Sequence, residues 1–494
     1  MNCTRNYRQL LLGAALLAAL GGSAHAQDAV GGLRVIGTVA PRAANTVAAS
    51  NWLIGCETLD RDYTDYDAYK AYLVPLGIRR LRMQAGWAKT EKVKGQYDWR
   101  WLDHVIDDAS ARGLQPWLQL SYGNSIYAGG GGTNLSAGIP SSPAALAAWD
   151  RWVLALVTRY RDRVVNWEVW NEPNFGDNTI NTPEAVAALS GRSAAIIKRL
   201  QPQAKISGLA LGHIDLDWAE RFFKSLRDAG QIALFDNMTY HDYVYNPDTN
   251  YPKVEKLREV LHKYAPGMPL RQGENGAPSV ANSGGALGNY AWSEVAQAKW
   301  DTRRMLGDLG HDIESSVFSI VEMHYTSGPI NTFNTKGILK SDANQGVERP
   351  KAAYRAIQTV TSVFDGTLTR IARVEHTFND KVVPADADQV LYAINSDRAF
   401  SVYGYRHPVR QVDVYTIWMA DQIPGDSLDK KGYTVSLANA RFKQPVLVDV
   451  LSGQVFEIPA GQWSQRGVHV DFKNVPLFDG PVLIADRSLV DLAK

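Results

Sequence analysis

Between residues 50 and 365 the chain alternates short apolar runs with longer stretches whose apolar residues recur three and four positions apart. Runs of the first kind suit strands buried on both faces, and stretches of the second suit amphipathic helices. Eight strands are predicted, over 52–57, 79–84, 115–120, 164–170, 206–211, 237–241, 270–274 and 317–323. Helical period fills the spaces between them, over 101–112, 143–160, 182–200, 216–229, 254–264 and 293–309. Strand and helix in alternation make a parallel sheet, and eight repeats in this length fit a closed (β/α)8 TIM barrel over 51–365 better than an open sheet.

The pattern changes after a last helix at 351–363. Short alternating runs follow, among them "QVLYAINS", "RQVDVYTIWMA", "QPVLVDVLSG", "QVFEIPA" and "GPVLIADRSL", closely punctuated by turn residues. They predict an antiparallel β-sandwich over 366–494, to which "GGLRVIGTV" in the 27–50 segment offers one more strand. The chain is thus expected to be α/β, a barrel followed by a sandwich.

Ahead of both, residues 1–26 carry Arg5 and Arg8, an apolar run and the triplet Ala24, His25, Ala26, the layout of a cleaved secretory signal peptide. The apolar run is too short to cross a bilayer, so membrane insertion is not expected. The mature protein then begins at Gln27, secreted or periplasmic. Its loss also removes Cys3 and leaves Cys56 alone, so the fold rests on core burial with no internal disulfide. A net charge of +1 argues against nucleic acid as a partner. The 14 Trp and 22 Tyr supply flat apolar faces that suit either core packing or stacking on sugar rings.

In a barrel of this kind the working side chains stand at the C-terminal ends of the strands. Two glutamates meet that condition. Glu172 follows the fourth strand in "NWEVWNEPN", and Glu274 ends the seventh in "LRQGENGAP". Strands four and seven face one another across a barrel mouth, and two carboxyls over a cleft are what cleavage of a glycosidic bond requires. Glu168 is expected deeper in the barrel, paired with Arg82 or Arg80, because an ionised carboxylate there needs a partner. Pro173 is expected to hold Glu172 in extended geometry.

These residues carry a resemblance. Trp170 to Asn174, "WNEPN", resembles the motif that bears the acid/base glutamate of retaining (β/α)8 glycoside hydrolases of clan A. "RQGE", ending at Glu274, resembles more loosely the motif of their nucleophile, and 81–120 is similar to their second and third βα units. With the trailing sandwich, the chain looks nearest to glycoside hydrolase family 39. The resemblance implies Glu172 as acid/base, Glu274 as nucleophile, Asn171 on the sugar 2-hydroxyl and Arg82 against the nucleophile. It also implies that His241 or Tyr243, from "MTYHDYVYN", holds the nucleophile. The threonine common before the nucleophile is Gly273 here.

Trp87, Trp292, Glu322 and His324 follow strands and are placed to line sugar subsites. His213, His241 and His324 end three strands, but none has the close spacing of a zinc motif, and no metal or cofactor is expected. "YAGGGGTNLSAG" at 127–138 lacks the ending of a phosphate loop and reads as a mobile flap over the cleft. The expected activity is a retaining β-glycoside hydrolase on a β-linked saccharide, exo-acting like a β-xylosidase. An endo-acting β-glycanase and a non-catalytic carbohydrate-binding barrel are the alternatives.

Overall fold

The computed structural model describes residues 32–47, 49–283, 285–325, 333–379, 381–383 and 399–494. The expected signal peptide and the "QVLYAINS" strand lie outside the described residues. A first strand, β1 (Arg34–Thr38), precedes a closed barrel of eight parallel strands in chain order. These are β2 (Trp52–Gly55), β3 (Arg80–Gln84), β4 (Gln115–Leu120), β5 (Asn166–Val169), β6 (Lys205–Leu211), β7 (Asn237–Tyr240), β8 (Leu270–Asn275) and β9 (Glu314–Val317). Closure comes where β9 pairs with β2, Trp52 opposite Ser315 and Ile54 opposite Val317.

Alternation along these strands sends two kinds of side chain in two directions. Leu81, Met83, Leu118, Leu120, Trp167 and Val169 join the apolar shell under the helices. Arg82, Gln119 and Glu168 hydrogen bond to one another inside the barrel. Register holds the polar set together, with Arg82 opposite Trp117 and Gln119 opposite Glu168.

The helix Pro143–Tyr160 begins on an N-cap, Ser142, whose side chain accepts from the Ala145 N–H, with proline in its first turn. Asp215 and Ser293 cap the helices Leu216–Asp228 and Glu294–Gly310 in the same way.

The eighth barrel strand differs from expectation. It runs Glu314–Val317, three residues earlier than the apolar run that suggested 317–323. Residues 315–317 are the ones that reach β2. Beyond them the chain leaves the barrel, Val321 bridges Leu339, and Met323–His324 pairs antiparallel with Phe333–Asn334. The run is apolar because it is buried beside the barrel, which periodicity cannot distinguish from membership of it.

The C-terminal part forms two antiparallel sheets. The larger has seven strands, in the order Arg34–Thr38, Gln454–Glu457, Pro445–Asp449, Val482–Asp486, Asp413–Met419, Phe400–Arg406, Thr369–Arg370. The smaller has five and includes Lys431–Ala438 and His469–Leu477. Ile417, Ile484, Val435, Leu437 and Phe472 fill the space between them. The other face of the large sheet, with Val414, Val446, Val448 and Leu483, belongs to the same apolar cluster as the barrel helices. β1 pairs antiparallel with Gln454–Glu457, so the first described strand closes onto the last domain.

Between barrel and sandwich lies the helix Glu294–Gly310, buried at every position from Ala296 to Gly310. Two of its buried cations are held by carboxylates. Lys299 donates to Asp479 at 2.6 Å and to the carbonyls of Gly425 and Ser427. Arg303 donates to Asp248 at 2.9 Å, and Asp248 also accepts from Trp418 and Ser401. Breaking a buried pair leaves an uncompensated charge, at a cost of about 3–5 kcal/mol. Asp248→Ala is expected to lower unfolding free energy by that order, and the double change with Arg303→Met to recover part of it, as read by urea denaturation.

Candidate active site

Arg82 organises the barrel mouth. It is fully buried in the middle of β3 and uses every guanidinium nitrogen. Nε donates to Glu168 at 2.8 Å, Nη1 to Glu57 at 2.9 Å and Glu274 at 3.0 Å, and Nη2 to Asn171 at 2.9 Å. The planar fork fixes all four partners relative to one another. Glu168 also accepts from Gln119 at 3.0 Å and Thr239 at 2.5 Å and has no exposure. It is held by the charge of Arg82, while Arg80 turns to Glu314.

Glu172 and Glu274 keep 6% and 9% exposure, enough to be touched from the cleft. An oxygen of one and an oxygen of the other lie within 4.8 Å. Glu172 does not follow Val169 in simple alternation. Trp170 and Glu172 both have positive φ, 67° and 47°. The extended geometry expected before Pro173 is thus replaced by a left-handed turn, a strained conformation that neighbours must hold. The Glu172 N–H donates to the Ala210 carbonyl at 2.9 Å, on a bulge where β6 slips register between Gly208 and Leu211. The Asn174 side chain ties the same turn to Gly212 at 2.9 Å.

The two acids sit in different surroundings. Burial raises the proton affinity of Glu172, to a pKa of about 7, against the opposing pull of Arg82, His213 and Lys336. Glu274 has both oxygens engaged by donors, Oε1 by the Tyr243 hydroxyl at 2.9 Å and Oε2 by Arg82. Tyr243 is therefore the residue that holds Glu274. His241 instead faces Glu172, its Nδ1 2.7 Å from Oε1, with Nε2 3.4 Å from Arg82 Nη2. A guanidinium can only donate, so Nε2 is the acceptor and the proton is on Nδ1, which donates to Glu172. Burial lowers the His241 pKa to about 4, which keeps the ring neutral. Gly273 is explained by the same ring, since a Cβ there would stand 3.2 Å from His241 Nε2 and from Thr239 Cβ.

Among the described residues, Glu172, His241 and Glu274 are also spaced as a cation site would be. Positive charge is already supplied there by Arg82, and a metal ion would be repelled by it.

Asn171 spends its oxygen on Arg82 and on Gln119, and one amide hydrogen on the Tyr122 hydroxyl at 2.7 Å. The other amide hydrogen is available to a hydroxyl in the cleft. The cleft itself is a cavity of about 570 Å³ lined by Glu57, Tyr122, Asn171, Glu172, Glu274 and Tyr325, with Arg61 laid over the Tyr122 ring. Thr133, Asn134 and Leu135 from the glycine-rich loop form part of its wall. The start of that loop is tied back by Gly123 N–H to Gly132 O and Asn124 N–H to Gly130 O, so it is anchored where a free flap was expected.

Four expected contacts are absent from the cleft. Trp87 is wholly buried, stacked on Tyr127 and bonded to Glu91 at 2.6 Å, because it faces the helices and not the mouth. Trp292 lies in a separate apolar cluster with Leu287 and Trp300. Glu322 is buried against Lys351 at 2.5 Å, and His324 meets Ser341 and the Phe333 ring. Both followed the misplaced eighth strand and leave the mouth with it. Glu57, Tyr122, Gln119 and Lys336 were missed. Glu57 ends the first strand predicted from sequence, 52–57, and follows β2 by two residues, a position that could have drawn attention to it. Lys336 lies far along a loop, and nothing in its neighbourhood marks it.

Residues 59–265 match the family model described as Glycosyl hydrolases family 39. Over this stretch, which lies within the barrel and is less than half of the chain, the sequence resembles that family. The family 39 match contains Arg82, Asn171, Glu172, His241 and Tyr243, and it ends before Glu274. A family 39 glycoside hydrolase from Bacteroides cellulosilyticus WH2 superposes with a TM-score of 0.60 at 18% identity, over 88% of this chain and 81% of that one. A monomeric β-xylosidase from Caulobacter crescentus CB15 gives 0.57 at 17%, over 91% and 97%. Both share the fold. In sequence, β-galactosidase BgaA of Clostridium cellulovorans is 26% identical over 135 residues, 24% of this chain. The match spans only 20% of that relative's length.

The neutral state of His241 in this site is open to measurement. Its ring ¹⁵N shifts are expected to report an Nδ1–H tautomer unchanged from pH 7.5 to 5. Protonation near pH 6.5, the value of a free imidazole, would contradict the arrangement.

Proposed function

We propose that the protein is a retaining β-glycoside hydrolase. The observation that carries the reading is the close approach of Glu172 and Glu274, within 4.8 Å, in unlike environments. Retaining enzymes hold their carboxyls about 5–5.5 Å apart, and inverting enzymes leave about 6.5–9.5 Å for a water. Glu274, kept anionic by Tyr243 and Arg82, attacks the anomeric carbon. Glu172, which burial keeps protonated, gives its proton to the leaving oxygen as that bond breaks. The glycosyl ester to Glu274 is then attacked by a water that Glu172, now a carboxylate, deprotonates. Configuration is inverted twice and so retained. Asn171 offers its spare amide hydrogen to the sugar 2-hydroxyl, a bond that strengthens as the ring gains oxocarbenium character.

The substrate in this reading is a β-linked saccharide, trimmed from its end as a β-xylosidase would do. Product analysis on intact xylan, β-glucan and exopolysaccharide decides the mode. Release of monosaccharide from the start supports exo action, and a ladder of oligosaccharides means endo action.

The mechanism has a pH signature. Glu172 must begin protonated, so kcat/KM on natural glycosides is expected to fall as pH rises through about 7. Glu172→Ala is expected to lose roughly 10²–10⁴-fold on such glycosides. The same variant should lose far less on dinitrophenyl glycosides, whose leaving group needs no proton, and should give a β-glycosyl azide when azide is added. Glu274→Gln should bind saccharide without turnover. Wild-type protein that binds saccharide and cleaves none would point instead to a carbohydrate-binding barrel.

Export belongs to the same proposal, since polymeric saccharides lie outside the cytoplasm. N-terminal sequencing of the protein secreted or recovered from the periplasm is expected to begin at Gln27. Retention of residues 1–26 would overturn that part alone.

A further inference from the structure

One guanidinium in the site serves three carboxylates. Glu57, Glu168 and Glu274 all accept from Arg82, and the Nη1 atom is shared by Glu57 at 2.9 Å and Glu274 at 3.0 Å. With His241 neutral and Lys336 acting on Glu274 and Glu172, Arg82 is the cation that Glu57, Glu168 and Glu274 hydrogen bond in common. A proton held among the three would relieve their mutual repulsion, and the hydrogen bonds indicate where. Glu168 accepts at both oxygens, from Thr239 at Oε1 and from Arg82 and Gln119 at Oε2. Glu274 also accepts at both, from Tyr243 and Arg82. Glu57 accepts at Oε1 only, and its Oε2 is buried with no partner among the described residues. That oxygen lies over Gly55, where an added Cβ would stand 2.1 Å from it, so glycine at 55 makes room for the carboxyl.

We propose that Glu57 is a positioning residue that stays a neutral carboxylic acid and so leaves the charge of Arg82 to Glu274. It touches neither acid of the reaction directly in this role and acts through Nη1. A neutral Glu57 accepts one hydrogen bond from Nη1 without competing for its charge. An ionised Glu57 would draw Nη1 away and repel Glu274. The inference rests on the retaining reading for its consequence in catalysis, and on geometry alone for the location of the proton.

The surroundings agree. Burial raises the Glu57 pKa to about 8, Arg82 opposes the rise and Glu274 adds to it. The other groups near enough to act on it, Cys56 beside it in the chain, Tyr69 on the first helix, Tyr243 after β7 and Tyr325 after β9, are neutral at that pH, each with its own pKa raised by burial. The folded-state pKa exceeds the unfolded one, so the stabilisation it gives is full below about pH 4.5 and is lost as pH rises through about 8.

Glu57→Gln copies the neutral acid and cannot ionise. Thermal unfolding of wild type and variant from pH 5 to 9 should show a Tm difference that grows in favour of the variant up to about pH 8 and then levels. A difference independent of pH would overturn the proposal. Infrared spectra should show one acid carbonyl band that wild type loses near pH 8 and Glu57→Gln lacks at all pH values. If that variant does not fold, Glu172→Gln, which leaves Glu57 in place, should still lose an acid carbonyl near pH 8, and absence of the loss overturns the proposal. On a dinitrophenyl glycoside, where Glu172 need not donate, wild-type kcat/KM should fall above pH 8 and that of Glu57→Gln should not. A 100-fold loss in Glu57→Gln at pH 6 would mean that an ionised Glu57 is needed. If no glycoside is cleaved, the catalytic reading fails, and the thermal and infrared results still judge the proton on Glu57.

Discussion

Everything at the barrel mouth depends on one buried cation. Arg82 has no exposure and reaches partners on β5, on β8 and just beyond β2. A guanidinium is planar and does not deprotonate in a protein, so its fork sets distances and angles as well as charge. Remove it and Glu168 becomes an unpaired charge in the core, while Glu274 loses the donor at Oε2. The strands of the barrel exist to bring those carboxylates to one place, and Arg82 makes it tolerable that they are there.

The same constraint explains how two glutamates take unlike roles. Glu274 is surrounded by donors and Glu172 by buried surface, with a neutral imidazole on one oxygen. What separates them is the number and kind of donors at each carboxyl, the factor that separates acid from nucleophile in any such pair. The left-handed turn at Glu172 belongs to this arrangement, because it carries the side chain off the strand's regular alternation and over the mouth. The bulge in β6 supplies the carbonyl that holds the turn.

Burial of charge recurs at the seam between barrel and sandwich. The helix Glu294–Gly310 has an apolar role on all sides yet carries Lys299, Arg303 and Arg304. They are accommodated because loops of the sandwich and the loop after β7 present carbonyls and carboxylates to each. The sandwich thereby braces the helix between β8 and β9, and through it the strand that bears Glu274.

Sequence alone determined the (β/α)8 barrel, the trailing sandwich and the placement of Glu172 and Glu274, because periodicity and strand-end position are local properties of the chain; Arg82 against Glu274 was implied by resemblance, and the choice of Arg82 over Arg80 for Glu168 needed the structure. The helix over 143–160 was legible to the residue from its apolar period. It failed where burial imitates a strand, at 317–323, and the error took Glu322 and His324 with it. It failed for Trp87 and Trp292, since an aromatic after a strand looks the same whether it turns to the cleft or to the helices. The tertiary structure alone decided that Tyr243 serves Glu274 and His241 serves Glu172, that Glu57 joins the site, and that Gly273 clears space for a ring. Those are matters of distance between residues far apart in the chain, and no local pattern encodes them.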